Sequence, residues 1–216
     1  ASCLKELVEN SLDAGATNIQ VILRDAGRTL LQVVDNGKGM SETDVRMAFE
    51  RHATSKISSA EDLGAIATLG FRGEALAAIS SVSRIELTTR RRGDQEGTKL
   101  LLEAGEIQDM FPFGCPEGTT MIVRDLFFNT PARLKFLKSD RAEASACEQA
   151  AMRVALGRPD VSFRFIKDRE ESFFSPGDGD VRSAVYALLG REEAKGLLEL
   201  NSSIGGLSVH GFISSP

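Results

Sequence analysis

Two spacings of apolar residues divide this chain. Alternating or continuous apolar runs over 18–23 (NIQVIL), 29–35 (TLLQVVD), 83–89 (SRIELTT), 98–103 (TKLLLE), 119–126 (TTMIVRDL) and 161–166 (VSFRFI) predict strands. Three- and four-residue spacing over 4–14 (LKELVENSLDA), 42–52 (ETDVRMAFERH), 73–82 (GEALAAISSV) and 141–157 (RAEASACEQAAMRVALG) predicts helices. The order is helix, two strands, helix, loop, helix, then several strands, without a repeated strand-helix-strand crossover. An α+β class follows: a mixed, mostly antiparallel sheet with helices on one face. The polar stretch 175–180 (SPGDGD) reads as a boundary. Residues 1–176 then form one domain. Residues 177–216, with the helical VRSAVYALLG, a helix end and two strands, begin a second domain too short to close its own core.

The opening helix carries the first candidate chemistry. At about 100° per residue, Leu4, Leu7, Val8 and Leu12 share one side, while Glu6, Asn10 and Asp13 share the other. Gly15 supplies the stop. Glu6 and Asn10, four apart, therefore project together from the face opposite the core, as they also do on an ordinary solvated helix. The second candidate is DNGKGM, 35–40. Asp35 ends an apolar strand, where a buried carboxylate is a good acceptor for an exocyclic amine. Gly37 and Gly39 let a flat base such as adenine approach the backbone. Asp-Asn-Gly is equally strong turn chemistry.

Phosphates have candidates of their own. No GxxxxGK[ST] is present, so a P-loop is unsupported. In LGFRGEALAAISSV, Gly70 and Gly73 bracket Phe71 and Arg72, and a helix begins at about Glu74. Free backbone N–H groups and a positive helix end converge there, although a glycine-rich connector has the same composition. Thr54, Ser55 and Lys56 of RHATSKI offer two hydroxyls and an ammonium, and the polar loop 58–69 has the composition of a lid. His52 is given a structural role, because no Ser or Cys nucleophile pattern accompanies it. Thr119, opening a strand after Gly118, has a hydroxyl suited to a base pocket. Thr130 and Pro131 suit the cap and first turn of a basic helix.

Composition narrows the class. The 216 residues have ordinary globular proportions, and a net charge of −5 argues against wholesale wrapping by nucleic acid. Charge is local: Arg84 with Arg90 to Arg92, and Arg133, Lys135, Lys138 and Arg141, are two stretches suited to phosphates or to solvent. Three scattered cysteines form no CxxC pair, which indicates a reducing compartment and neither a disulfide framework nor a zinc site. No apolar run approaches the ~18 residues of a membrane span, and no signal peptide opens the chain. A soluble intracellular protein with no membrane partner is expected. Both ends look cut, Ala1 standing almost inside a helix and Pro216 following a strand-like run.

ELVENSLDAGA, DNGKGM, RHATSKI, LGFRGEALAAISSVS and GTTMIVRDLFFNTPARLKF, in this order, resemble the N-terminal ATPase of the MutL mismatch-repair proteins. That region lies in the GHKL class, shared with gyrase B subunits, histidine kinases and heat-shock chaperones. The likeness is close over about Leu4 to Leu137. The first two motifs fit the whole class, whereas ATSKI, GFRGEAL and NTPARLKF point to MutL. The resemblance implies a GHKL-type (Bergerat) sandwich followed by a second α/β domain of the ribosomal protein S5 domain 2 type. It implies Glu6 as the general base and Asn10 as the residue holding Mg²⁺ against the triphosphate. Asp35, with Gly39 and Thr119, takes the adenine; Lys56, the 70–74 loop and Arg72 take the phosphates; and Glu9 supports by hydrogen bonding.

The implied mechanism is a slow, Mg²⁺-dependent ATP switch. ATP closes the lid, two N-terminal regions form a homodimer or paralogue heterodimer, and the clamp engages DNA and a MutS-type mismatch-recognition protein. The implied location is the cytoplasm, near the nucleoid, or the nucleus in a eukaryote. The family's N-terminal arm, its second-domain lysine and its C-terminal dimerisation domain, a metal-dependent endonuclease in many members, are not found in this sequence. The rival readings are a gyrase-type or chaperone ATPase and a non-enzymatic DNA- or partner-binding module.

Overall fold

The computed structural model of the protein describes residues 1–49 and 75–214. Among these, eight strands form one sheet: β1 (Asn18–Arg24), β2 (Leu30–Asp35), β3 (Arg84–Arg90), β4 (Gly97–Glu103), β5 (Glu106–Phe113), β6 (Gly118–Arg124), β7 (Ser162–Lys167) and β8 (Glu170–Ser175). Their order is β5-β4-β3-β6-β2-β1-β7-β8. The β1–β7 pair is parallel, and every other neighbouring pair is antiparallel. This is the expected mixed sheet.

The strands alternate because one face is covered. In β1, Ile19, Val21 and Leu23 are buried and the residues between them are not; β3 does the same with Ile85, Leu87 and Thr89. The cover comes from α1 (Ser2–Asp13) on β2, α2 (Glu42–Ala48) on β4, and α5 (Asp140–Gly157) on β7 and α1. The α1 stripe of Leu4, Leu7, Val8 and Leu12 is buried, as its spacing predicts. In α5 the buried positions are Cys147, Ala151 and Ala155, four apart, a seam of small side chains that lets the helix lie close to its neighbours. Ser41 and Asp44 cap α2 reciprocally, each side chain accepting from the other residue's backbone N–H, so the helix starts directly after the DNGKGM loop.

Several elements depart from the sequence expectation. Strands β5 and β8 were not predicted, and both lie at sheet edges, where neither face is fully covered and alternation is weak. The basic helix is a single turn, α4 (Pro131–Leu134). Thr130 occupies its cap position without a side-chain hydrogen bond, and its hydroxyl is buried with no partner among the described residues. Its ψ of 65° lies away from the extended backbone that aims a capping oxygen at the first turn. Helix α3 (Ala75–Ser80) follows the undescribed segment.

After the turn at 176–180, α6 (Val181–Leu189) buries Ala184, Val185 and Leu188 and packs against α5 and β8. Then come α7 (Arg191–Lys195) and a separate two-stranded antiparallel sheet of β9 (Leu197–Ile204) and β10 (Leu207–Ser214). Among the described residues no helix is long and apolar enough to cross a membrane.

The largest fully buried side chains lie in β7, Phe163 and Phe165, and Phe165 stacks on Phe173 of β8 with ring centroids 5.3 Å apart. Phe165→Ala is expected to cost about 3–5 kcal/mol. Urea unfolding followed by circular dichroism checks this, and a midpoint equal to wild type contradicts it.

Candidate functional site

The opening helix and the second strand are fastened together by one buried polar contact. Ser11 Oγ donates to Asp35 Oδ2 at 2.8 Å and also lies 3.2 Å from the Leu7 carbonyl. The Gly37 backbone N–H donates to Asp35 Oδ1 at 2.9 Å. Asp35 is 9% exposed. Burial raises its pKa above the ordinary carboxylate value, against the opposing pull of hydrogen bonds from Ser11 and the Gly37 and Thr119 backbones.

The loop after Asp35 is held on both sides. Asn36 Oδ1 accepts from the backbone N–H groups of Thr17 and Asn18 at 2.9 and 2.8 Å, and its amide donates to Thr17 Oγ1 at 2.9 Å. The Lys38 N–H reaches the Ala14 carbonyl at 2.9 Å, and the Lys38 carbonyl accepts from Arg92 at 3.2 Å. The helix therefore ends where the loop needs a partner. Gly15 N–H bonds to Leu12 and Ala16 N–H to Ser11, which leaves the Ala14 carbonyl for Lys38.

The glycines are required by the fold itself. At Gly39, φ is +66°, and an added Cβ would lie 2.1 Å from the Arg90 carbonyl oxygen. At Gly37 it would lie 2.8 Å from Ala14 Cβ. In both cases the close neighbour is the protein itself.

Register aligns Thr89, Thr119 and Asp35 across β3, β6 and β2. Thr89, fully buried, has its Oγ1 3.0 Å from each of Thr119 Oγ1, the Gly118 carbonyl and the Met40 N–H. A polar row thus crosses the sheet end on the helix-covered face. Sequence reasoning selected Asp35, Gly37, Gly39 and Thr119 and missed Ser11 and Thr89. Both missed residues are polar side chains at core-facing positions, Ser11 within the apolar stripe of α1 and Thr89 in line with Ile85 and Leu87. That mismatch was the available signal.

On α1, Glu6, Asn10 and Asp13 are half-buried, and Glu9 is buried with its Oε1 3.5 Å from Lys5 Nζ. A cavity of about 610 Å³ is lined by Glu6, Cys3, Ile79, Phe127, Arg133 and Cys147, among others. Among the described residues Asn10, Asp35, Gly37, Gly39 and Thr119 do not line it. Glu6 thus stands at the edge of an apolar cavity, while Ser11, later in the same helix, reaches Asp35. Thr54, Ser55, Lys56, Gly70, Phe71, Arg72, Gly73 and Glu74, together with His52 and the 58–69 loop, lie outside the described residues.

Residues 1–109 match the family model for histidine kinase-, DNA gyrase B- and HSP90-like ATPases. A DNA mismatch repair protein MutL of Symbiobacterium thermophilum is 50% identical over the whole chain, and one of Desulforamulus reducens is 49% identical. The solved ATPase domain of Aquifex aeolicus MutL, complexed with ADP, aligns over 98% of this chain and 75% of that one, with a TM-score of 0.79 and 31% identity. The chain belongs to the MutL family.

Its sheet and helices are therefore those of a GHKL ATPase domain of the MutL type. The chain spans about a third of the length of these MutL relatives, 34% in both cases.

Two substitutions test the arrangement of the MutL-type loop. Gly39→Ala is expected to cost about 3 kcal/mol or more through positive φ and overlap with Arg90, whereas Gly93→Ala, where a Cβ meets open space, costs about 1 kcal/mol. Equal urea midpoints for the two variants would contradict this. Asp35→Asn can keep the bonds to Gly37 and Ser11, its oxygen accepting from Gly37 and its amide donating to Ser11, whose proton turns to Leu7. A raised folded pKa means that Asp35 favours folding when protonated, and that this contribution is lost as pH rises through the folded value. The variant should therefore melt at or above wild type at neutral pH, with the difference shrinking on acidification. A variant that melts well below wild type at neutral pH would show that the ionised carboxylate is stabilising.

Proposed function

We propose that this chain binds ATP with Mg²⁺ and hydrolyses it slowly, as the conformational switch of a DNA mismatch-repair protein. The single observation that carries the reading is the buried Asp35 carboxylate, fixed by Ser11 and Gly37 at the end of β2, in a chain of the MutL family. The ADP complex of the Aquifex relative supports it.

A carboxylate has about four acceptor positions, and bonds from Ser11, Gly37 and the Thr119 backbone leave about one for the adenine amino group. An aspartate there selects a donor, which separates adenine from guanine, whose corresponding edge presents a carbonyl. Thr119, Gly37 and Gly39 border the base. Thr54, Ser55, Lys56 and the loop from Gly70 through Phe71, Arg72 and Gly73 to Glu74 hold the phosphates. Glu6 takes the proton of the attacking water, and buried Glu9 supports the helix face beside it.

Asn10 fits Mg²⁺, a hard cation that prefers oxygen ligands, keeps waters and needs few protein groups when phosphates are present. When bound, Mg²⁺ neutralises charge on the phosphates. In the same reading residues 177–216 begin a second domain. ATP binding favours a dimer of N-terminal regions that engages DNA and a MutS-type partner, because only contacts that differ between open and closed forms can drive such a change. The work is done in the cytoplasm or, in a eukaryote, the nucleus.

Glu6→Ala is expected to leave ATP affinity, measured by calorimetry, within about twofold while lowering phosphate release about 10²- to 10⁴-fold. Equal hydrolysis by the variant would remove Glu6 as base. Asp35→Asn should instead abolish binding itself, and unchanged affinity would take Asp35 out of the base pocket.

A further inference from the structure

Thr89 stands where the pattern of β3 calls for an apolar residue, and nothing in the proposed nucleotide chemistry uses it. It is fully buried in line with Ile85 and Leu87, at the end of the polar row that leads through Thr119 to Asp35. A buried hydroxyl is costly unless its hydrogen bonds are made. Those of Thr89 are made, and the number of protons available to them fixes the chemistry of its neighbour.

Three groups lie 3.0 Å from Thr89 Oγ1. The Met40 backbone N–H can only donate to it, and the Gly118 carbonyl can only accept from it. A hydroxyl has one proton and two lone pairs. The proton of Thr89 therefore goes to Gly118, one lone pair takes the Met40 N–H, and the second is left for Thr119, whose hydroxyl is the donor. The reverse assignment, with Thr89 donating to Thr119, would set Thr89 Oγ1 and the Gly118 carbonyl oxygen 3.0 Å apart with no proton between them. Thr119 thus commits its only proton to the interior. Being half-buried, it has lone pairs alone for a ligand that reaches it, beside Asp35, its direct partner across the β2–β6 pair.

We propose that Thr89 is a specificity-determining positioning residue: by taking the proton of Thr119 it makes the base site a pair of acceptors, which favours purine nucleotides with amino groups at both C2 and C6 over adenine nucleotides. This rests on the base-binding role proposed for Asp35 and deepens it by defining the second half of the site. Paired strands stand about 4.8 Å apart, so the two acceptors meet a ligand at that spacing. Adenine sets its amine against Asp35 and, next to it, a ring nitrogen that is itself an acceptor and gains nothing from Thr119. A 2,6-diaminopurine has an amine on each side of that nitrogen, separated by a similar distance. An apolar residue in place of Thr89 frees the Thr119 hydroxyl to turn and donate to the ring nitrogen of adenine, which erases the distinction.

The test is calorimetric titration of the 216-residue chain with Mg-ATP and with the Mg complex of 2-amino-ATP, which differ by one exocyclic amine. Wild type should bind 2-amino-ATP about fivefold more tightly, the worth of one hydrogen bond. Thr89→Val should bring the two affinities within about twofold of each other, and Thr89→Ser should keep the wild-type ratio. Thr119→Val should abolish the preference, whereas Thr88→Val, on the opposite face of β3, should leave it intact. Because the readout is a ratio, a general loosening of the loop through the lost Met40 bond cancels from it.

Equal binding of the two nucleotides by wild type overturns the proposal. So does a preference that survives Thr89→Val or Thr119→Val, one that is lost in Thr89→Ser, or one that is lost equally in Thr88→Val. The same titrations separate the two readings. ATP binding without the preference sinks the role of Thr89 alone and leaves the ATPase standing, whereas a wild-type chain that binds neither nucleotide sinks both.

Discussion

One hydrogen bond, Ser11 to Asp35, sets the geometry on which the rest of the molecule depends. It joins the first helix to a central strand through an interior of low dielectric, where a partnered polar group is strongly held and an orphaned one is costly. Because α1 cannot rotate without breaking it, the turn of helix carrying Glu6 and Asn10 is fixed relative to the end of β2. The DNGKGM loop then closes the arrangement by reaching back to Ala14, Thr17 and Asn18 on one side and forward to Arg92 on the other. The proposed nucleotide site is in this sense a by-product of how helix, strand and loop satisfy one another.

That arrangement has a thermodynamic cost, and the core supplies the compensation. A carboxylate held in a mostly buried position has its charged form disfavoured, and a glycine at positive φ gives up more chain entropy on folding than any other residue. Neither is a feature that stability alone would retain. The compensating burial comes from the α1 stripe, the small-residue seam of α5 and the phenylalanines of β7, all on the one covered face of the sheet. Polar chemistry gathers where that covered face runs out, at the strand ends occupied by Thr89, Thr119 and Asp35.

Most of the covered fold was legible in the chain. Strands with one buried face announce themselves by alternation, and the six strands predicted within residues 1–176 are those with such a face. Strands β5 and β8 were not legible, because an edge strand is specified by its neighbour's free backbone groups more than by its own side chains. The same distinction runs through the site. Asp35 and its glycines could be named from the local string, while Ser11 and Thr89 could be suspected only as polar residues out of place in apolar patterns.

The sequence by itself determined the periodic elements, the family motifs and the residues able to bind a base, because each rests on chemistry local to a few neighbouring positions. Only the tertiary structure decided what those residues meet: that Gly39 yields to the Arg90 backbone, that Ser11 rather than the polar stripe reaches Asp35, and that the arginines of the 90–92 run meet Asp94 and Glu117. The reason is distance along the chain. Partners separated by tens of residues are brought together by sheet order and helix packing, and no local spacing encodes which carboxylate or carbonyl will arrive.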